Sequence, residues 1–528
     1  MGDTKDPIIQ LFTENISYFT PTHLRIGAIN RIKIRPMSHP LFILDAGLKA
    51  SLQQQLRQQI AKAILDHHIP LDSPLPSSRK LAKQLNVARN TVVLAYEHLL
   101  DDGYLIARER SGYFVNPNIL DHSVQLESVS DERHTSGTKP DWQGRFKLHP
   151  TKQENITKPN DWQNFQYPFI YGQFDPDLFP TNHWRECCRD NVSVPAIRSW
   201  AADHFVADDP MLIEQIHTRV LPRRGVWAKP EEILITIGCQ QGLYMLAQLL
   251  LDKNTIMGLE DPGFVDMRNI ASLNPSKLKA LPVDEGGLIV DEGLAECDCV
   301  FVTPSHHYPT TVTMPLDRRH KLLEMASQED FLIIEDDYEC EANFHHAPSP
   351  ALKSLDKHDR VIYIGSFSKT LAPGLRIGYL VANKELIAEA RSLRRLMLRH
   401  PPANNQRSIG LFIARGYYDS LSATLVKAYQ ERHKIMADAL QKHMPGLAEQ
   451  PTFGGSCYWV KGPTGLDARE LRDKAAEHGI LIESGDIHFL DADSPKNYFR
   501  LGYSSINPKL IEPGIEKLSH IMHELVSA

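Results

Sequence analysis

Apolar residues recur at every fourth position in Leu52, Leu56, Ile60 and Ile64, with Gln, Arg and Lys between them, a spacing that predicts an amphipathic helix from about residue 48. Pro70, Pro74 and Pro76 end that pattern, and Ser77 and Ser78 offer N-caps to a second, short helix whose inner face holds Leu81 and Leu85. Asn86 suits a tight turn. A third helix follows from about Ala88, with Val92, Val93, Tyr96, Leu99 and Leu100 on one face, and stops at Asp102-Gly103. Tyr104-Leu105-Ile106 and Gly112-Tyr113-Phe114-Val115 then read as two short strands around the charged turn Arg108-Glu109-Arg110-Ser111.

Beyond Asn116 the pattern dissolves into Ser, Thr, Asp, Asn, Lys and Gln, and residues 117–166 read as a linker, long for a compact domain. Its Trp142 and Trp162, each within Asp-Trp-Gln, are candidates to dock on a folded surface. From 167 to 528 short apolar runs alternate with helical stretches. Ile233–Ile237, Thr255–Leu259, Val300–Thr303, Phe331–Ile334 and Val361–Ile364 predict buried strands of a largely parallel sheet with helices on both faces. Longer helices from about 395 predict a smaller α/β lobe. The expected architecture is therefore a small, mostly helical domain (48–116), a linker and a large α/β body, preceded by an extension (1–47) with no readable pattern.

Composition refines this picture. The 528 residues are 42% hydrophobic and 23% charged, as in folded proteins, with a net charge of −7. The charge is segregated: residues 1–115 hold 14 Lys and Arg against 10 Asp and Glu, so a mildly basic head precedes an acidic body. Seven cysteines are too few for a disulfide scaffold, and Cys187-Cys188 and Cys297/Cys299 lack zinc-site spacing, so no metal is expected. The N-terminus has no apolar core of a signal peptide, and no apolar run approaches 18 residues. The chain reads as cytoplasmic, with no membrane partner.

Helix, short helix, turn, helix and two-stranded wing is the winged helix-turn-helix plan, in which the third helix enters the major groove of double-stranded DNA by its N-terminal residues. Those residues are Arg89, Asn90 and Thr91. Arginine can pair with guanine O6 and N7, and asparagine with adenine. Arg79 is placed for a phosphate or a base, and Arg108 on the wing for the backbone or minor groove. The segment 75–115 contains LPSSR, V-x-R-N-T and A-Y-x-x-L, and in these motifs it resembles the GntR family of bacterial regulators.

In the body, VIYIGSFSKTLAPGLRIGYL (361–380) carries Ser-x-Ser-Lys after a buried strand and an arginine seven residues later. Desolvation there would lower the Lys369 pKa and free its amine for an aldehyde, while Ser366, Ser368 and Arg376 could hold a phosphate. FLIIEDDYECE (331–341) ends an apolar strand in carboxylates, where open α/β sheets bind ligands, and Asp336 could hold a pyridinium nitrogen protonated. ILITIGCQQGL (233–243) places the amides of Cys239 and Gln240 at a helix start. EDPGF (260–264) offers an aromatic for stacking.

Together these pieces resemble the fold-type I aminotransferases, and more narrowly the MocR-type subgroup of GntR regulators. The resemblance covers about 48–115 and 165–510. It implies pyridoxal 5′-phosphate bound as an aldimine at Lys369, with Asp336 at the ring nitrogen, Tyr338 at the ring oxygen and Phe264 stacked on the ring. Ser366, Ser368, Arg376 and the Cys239-Gln240 turn would hold the phosphate. Tyr308 stands where aminotransferases present an asparagine, and Arg500 matches their carboxylate-binding arginine. His307, Thr311 and Asp266 depart from the subgroup's pattern. His307 and Asp266 are accordingly expected beside the effector, where Asp266 would disfavour a second acid. The implied function is a regulator sensing an amine or amino acid, built as a homodimer with swapped heads. The alternatives are a genuine aminotransferase with an appended DNA-binding domain, and a regulator sensing the cofactor itself.

Overall fold

The computed structural model describes residues 42–119, 140–344, 349–448, 451, 454–491 and 493–527. Residues 1–41 of the extension and 120–139 of the linker lie outside them. The chain forms two compact units that divide between Asp141 and Trp142.

In the first unit, α1 (Leu52–Leu65), α2 (Ser78–Leu85) and α3 (Arg89–Asp101) precede an antiparallel pair, β1 (Leu105–Arg108) and β2 (Gly112–Val115). Leu56, Ile60 and Ile64 of α1 are fully buried against Val92, Ala95, Tyr96 and Leu99 of α3, as the four-residue spacing requires. The Ser77 hydroxyl caps α2 by accepting from the Lys80 amide, and Asn86 ends it in the left-handed conformation. The buried Tyr96 hydroxyl donates to the Pro76 carbonyl at 2.8 Å, and the Leu75 amide donates to the Tyr113 carbonyl, also at 2.8 Å. The tyrosine of A-Y-x-x-L thus fixes the start of LPSSR to the third helix, and the Leu75 amide fixes it to the wing.

In the second unit the strands, in chain order, are β3 (Tyr167–Pro168), β4 (Ile233–Thr236), β5 (Ile256–Asp261), β6 (Lys277–Asp284), β7 (Gly287–Leu288), β8 (Cys299–Val302), β9 (Leu332–Asp336), β10 (Val361–Ser366), β11 (Gly378–Val381), β12 (Cys457–Lys461), β13 (Ile480–Leu481), β14 (Glu483–Ser484) and β15 (Tyr498–Gly502). Eight of them form one sheet in the order β4-β11-β10-β9-β8-β5-β6-β7. Its centre, β10-β9-β8-β5-β6, is parallel; β11 runs antiparallel to both β10 and β4, and β7 antiparallel to β6. Alternate residues feed two cores. Ile362, Ile364 and Leu380 pack with Leu243 and Leu246 of the helix Gly238–Leu250, whereas Tyr363, Tyr379 and Val381 join the core containing Ile409, Phe412 and Leu440. Helices on both faces explain why the strands are apolar runs rather than alternating ones.

After the helix Lys384–Leu398, a small antiparallel sheet, β12-β15-β14, lies in the same core as the helices Tyr417–His443 and Pro508–Ser527. β13 pairs in parallel with β3, so the start of this unit is held by its end. Residues 142–166, within the span read as linker, belong to this unit. The Gln153 amide donates to the Asn269 carbonyl and the Ser272 hydroxyl, both at 2.8 Å, and the Asn269 amide donates to the Glu154 carbonyl and Asn155 Oδ1, also at 2.8 Å. Trp162 is half-buried, whereas Trp142 is 62% exposed, its ring stacked near Phe146.

Candidate functional site

A cavity of about 300 Å³ opens at the carboxyl ends of β9 and β10. It is lined by Lys369, Asp336, Tyr338, Ser366, Ser368, Arg376, Phe264, Cys239, Gln240, Tyr308, Arg500 and Asp266, residues spread over more than 260 positions of sequence. The sheet explains the convergence. Ile364 of β10 sits opposite Asp336 of β9, and both strands end at the same edge, so Ser-x-Ser-Lys and Glu-Asp-Asp-Tyr emerge side by side.

Lys369 is half-buried, its Nζ 4.0 Å from the centroid of the Tyr171 ring. Burial, helped by the positive Lys158 and Arg500 and opposed by Glu339, lowers its amine to about 8. Burial pushes the Asp336 carboxyl up to about 7, with Asp337 adding to the rise and Lys369 opposing it. Asp336 Oδ1 is buried and has no hydrogen-bond partner among the described residues, as expected of an acceptor kept for a ring N–H. Ser368 Oγ is likewise without a partner. Gly238 has φ +70°, and a Cβ there would come within 2.9 Å of Arg376 Nη2, so this turn lets the guanidinium approach the helix start. An orphaned carboxylate oxygen, a free hydroxyl, an arginine and a helix N-terminus at one depressed-pKa lysine fit pyridoxal phosphate.

At the other end of the cavity Arg500 is buried. It faces Glu483 directly across the antiparallel β14–β15 pair and donates to it through Nε at 2.9 Å. Its Nη2 donates to the Tyr308 hydroxyl at 2.7 Å, while its Nη1 has no partner among the described residues. Burial alone would raise the Glu483 carboxyl; Arg500 and Lys158 bring it down to about 2. The Phe264 ring lies 5.1 Å from that of Tyr308, edge to face. The Gln240 side chain donates to Asp266, whose carboxyl is raised by burial.

His307, expected beside the effector, does not line the cavity. Its Nδ1 lies 2.7 Å from the Thr310 hydroxyl and its Nε2 3.4 Å from buried Glu260, and burial lowers its pKa to about 3, which makes it a neutral structural imidazole. Sequence reasoning missed Tyr171, Gly172, Thr303, Ile156 and Lys158 as lining residues, and Glu483 as the partner of Arg500. No pattern along the chain marks any of them, and the Glu483–Arg500 pairing is set only by the register of β14 on β15.

In the first unit Arg79, Arg89 and Asn90 are exposed and Thr91 is half-buried at the start of α3. Neither Arg79 nor Arg89 has an ion-pair partner among the described residues. Arg108 is exposed on the wing, its guanidinium 4.3 Å above the Phe114 ring.

Residues 52–115 match the family of bacterial regulatory proteins named gntR, and residues 209–518 match aminotransferase class I and II. The chain is 41% identical to the HTH-type transcriptional regulator TauR of Rhodobacter capsulatus, over 91% of this chain and 98% of that protein. It is 29% identical to the probable rhizopine catabolism regulatory protein MocR of Rhizobium meliloti, over 90% and 95%. Among solved structures, a kynurenine aminotransferase of Pyrococcus horikoshii superposes with a TM-score of 0.66 at 25% identity, covering 74% of this chain and 99% of that one. No described helix is long and apolar enough to cross a membrane.

Proposed function

Because this chain belongs to the MocR-type subgroup of GntR-family transcription regulators, with a helix-turn-helix head and a fold-type I aminotransferase-like body, we propose that it is a DNA-binding regulator that senses a small amine or amino acid through pyridoxal 5′-phosphate held at Lys369. The observation that carries this reading is the meeting, in one cavity, of a lysine amine lowered to about 8 and a buried carboxylate oxygen without a donor. Bound pyridoxal phosphate supplies an aldehyde that captures primary amines and a ring that withdraws electrons from them.

The residues divide that work. Lys369 would hold the cofactor through its amine, which burial keeps partly unprotonated. Asp336 would accept from the ring nitrogen, Tyr338 would donate to the ring oxygen, and Phe264 would pack on the ring. Ser366, Ser368, Arg376 and the amides of Cys239 and Gln240 would hold the phosphate. Arg500 receives an acidic group on the effector, and Asp266 disfavours a second one. The homodimer with swapped heads belongs to the same proposal, since two tethered heads raise operator affinity through effective concentration.

The retained Lys369, Asp336 and Arg500 also favour a second reading, a working aminotransferase with an appended head. Titrating holo-protein with amino acids, ω-amino acids, aminosulfonates and diamines separates the readings. A single absorbance change that stops marks a sensor, whereas sustained keto-acid production marks an enzyme. No change with any amine would overturn both and leave a sensor of the cofactor itself.

At the head, Arg89→Ala is expected to cost about 1–3 kcal/mol in operator binding through a lost guanine pair. Arg79→Ala should instead weaken operator and random DNA alike and reduce the salt slope by about one. Gel-shift titrations at two salt concentrations check both, and an Arg89→Ala protein with unchanged operator affinity would refute the groove assignment.

A further inference from the structure

The segment that leads from residue 142 towards β3 enters the cavity: Ile156 and Lys158 line it beside Lys369 and Arg500. Lys158 Nζ lies 3.3 Å from Glu483 Oε1 and donates to the Tyr171 carbonyl. Arg500 donates to the other oxygen, Glu483 Oε2. One carboxylate therefore bridges two cations. The corner carries one uncompensated positive charge, and Arg500 Nη1 is buried without a partner. Tyr171, Tyr308 and His488 also face this corner but are neutral there, because burial raises both phenols and lowers the imidazole. Glu339, the other nearby acid, interacts first with Lys369. A cluster with Arg500 and Glu483 buried, Lys158 a quarter exposed at the cavity, one surplus positive charge and an idle N–H donor favours an anion that joins it.

We propose that Lys158 is a specificity-determining residue that, with Arg500 Nη1, receives the effector's acidic group and thereby ties segment 153–158 to ligand occupancy. This rests on the reading of the cavity as the site of an acid-bearing amine. One carboxylate or sulfonate neutralises the corner; a ligand without an acid leaves the surplus charge in place. Segment 153–158 is held elsewhere by amide hydrogen bonds to Asn269 and Ser272, so the ligand adds a charged tether to a stretch of chain that continues towards the head.

The test uses full-length holo-protein and three probes of one chain length: 3-aminopropanoate, 3-aminopropanesulfonate and propylamine. Cofactor absorbance reads affinity. Lys158→Met should weaken both acidic probes by about tenfold or more and propylamine far less, and Lys158→Arg should restore most of the loss. Hydrogen exchange of amides 150–158 should slow on adding the better acidic probe to wild type and stay unchanged in Lys158→Met. Retained cofactor absorbance in the variant shows that it folds. Equal affinity of the acidic probes for wild type and Lys158→Met overturns the assignment of Lys158 alone. A wild type that binds propylamine as tightly as the acids overturns it together with the reading of the cavity.

Discussion

Lys369→Ala protein is expected to bind pyridoxal phosphate without any borohydride-reducible bond to the chain. The argument is one of proton occupancy. With its amine at about 8, Lys369 presents roughly one free base in four at pH 7.5, against about one in a thousand for an unperturbed lysine. The rate of bond formation in wild type should rise about tenfold per pH unit up to about 8 and then level off. The competing amine in the cavity, Lys158, is instead engaged by Glu483 and donates to the Tyr171 carbonyl. Reduction followed by peptide mapping decides: label on Lys158, or on any lysine other than 369, would refute the assignment. The same shift has a sign in stability. The folded value lies below the unfolded one, so between about 8 and 10.5 the unfolded chain binds the extra proton, and stability from this group rises as pH rises through that window.

Arg500→Ala is expected to be the most damaging change at the effector end, for two separable reasons. It removes the donor to the effector's acid, which should weaken 3-aminopropanoate by about a hundredfold or more. It also leaves Glu483 buried with Lys158 alone, and breaking a buried pair from one side costs about 3–5 kcal/mol, here towards the lower figure. In wild type the Glu483 carboxyl, held at about 2, stabilises the fold above its unfolded value, and that contribution is lost as pH falls towards 2. Arg500→Ala should therefore flatten the acid limb of the stability curve between about 4.5 and 2. Thermal melting across pH reads the structural part and absorbance titration the binding part. A variant with wild-type affinity for 3-aminopropanoate would show that Arg500 is structural only.

Much of this was legible in the sequence, because the chemistry there is local. The head's helices follow from apolar residues four apart and from serine and asparagine at their ends, which depend on contacts within a turn or two. The strands of the body stand out because both faces of a covered sheet exclude water, which demands unbroken apolar runs. Ser-x-Ser-Lys and Glu-Asp-Asp-Tyr could be placed at strand ends for the same reason. The tertiary structure alone decided what lies beside what. It paired Glu483 with Arg500, since register, not spacing along the chain, sets cross-strand neighbours. It turned His307 into the protein, where its Nδ1 pairs with the Thr310 hydroxyl and its Nε2 lies 3.4 Å from Glu260, although Tyr308 beside it reaches the cavity. It also brought Lys158, from a stretch with no periodicity, to Glu483 and Arg500. A charge in such a stretch acquires its role only when the fold removes water from around it and supplies its partner.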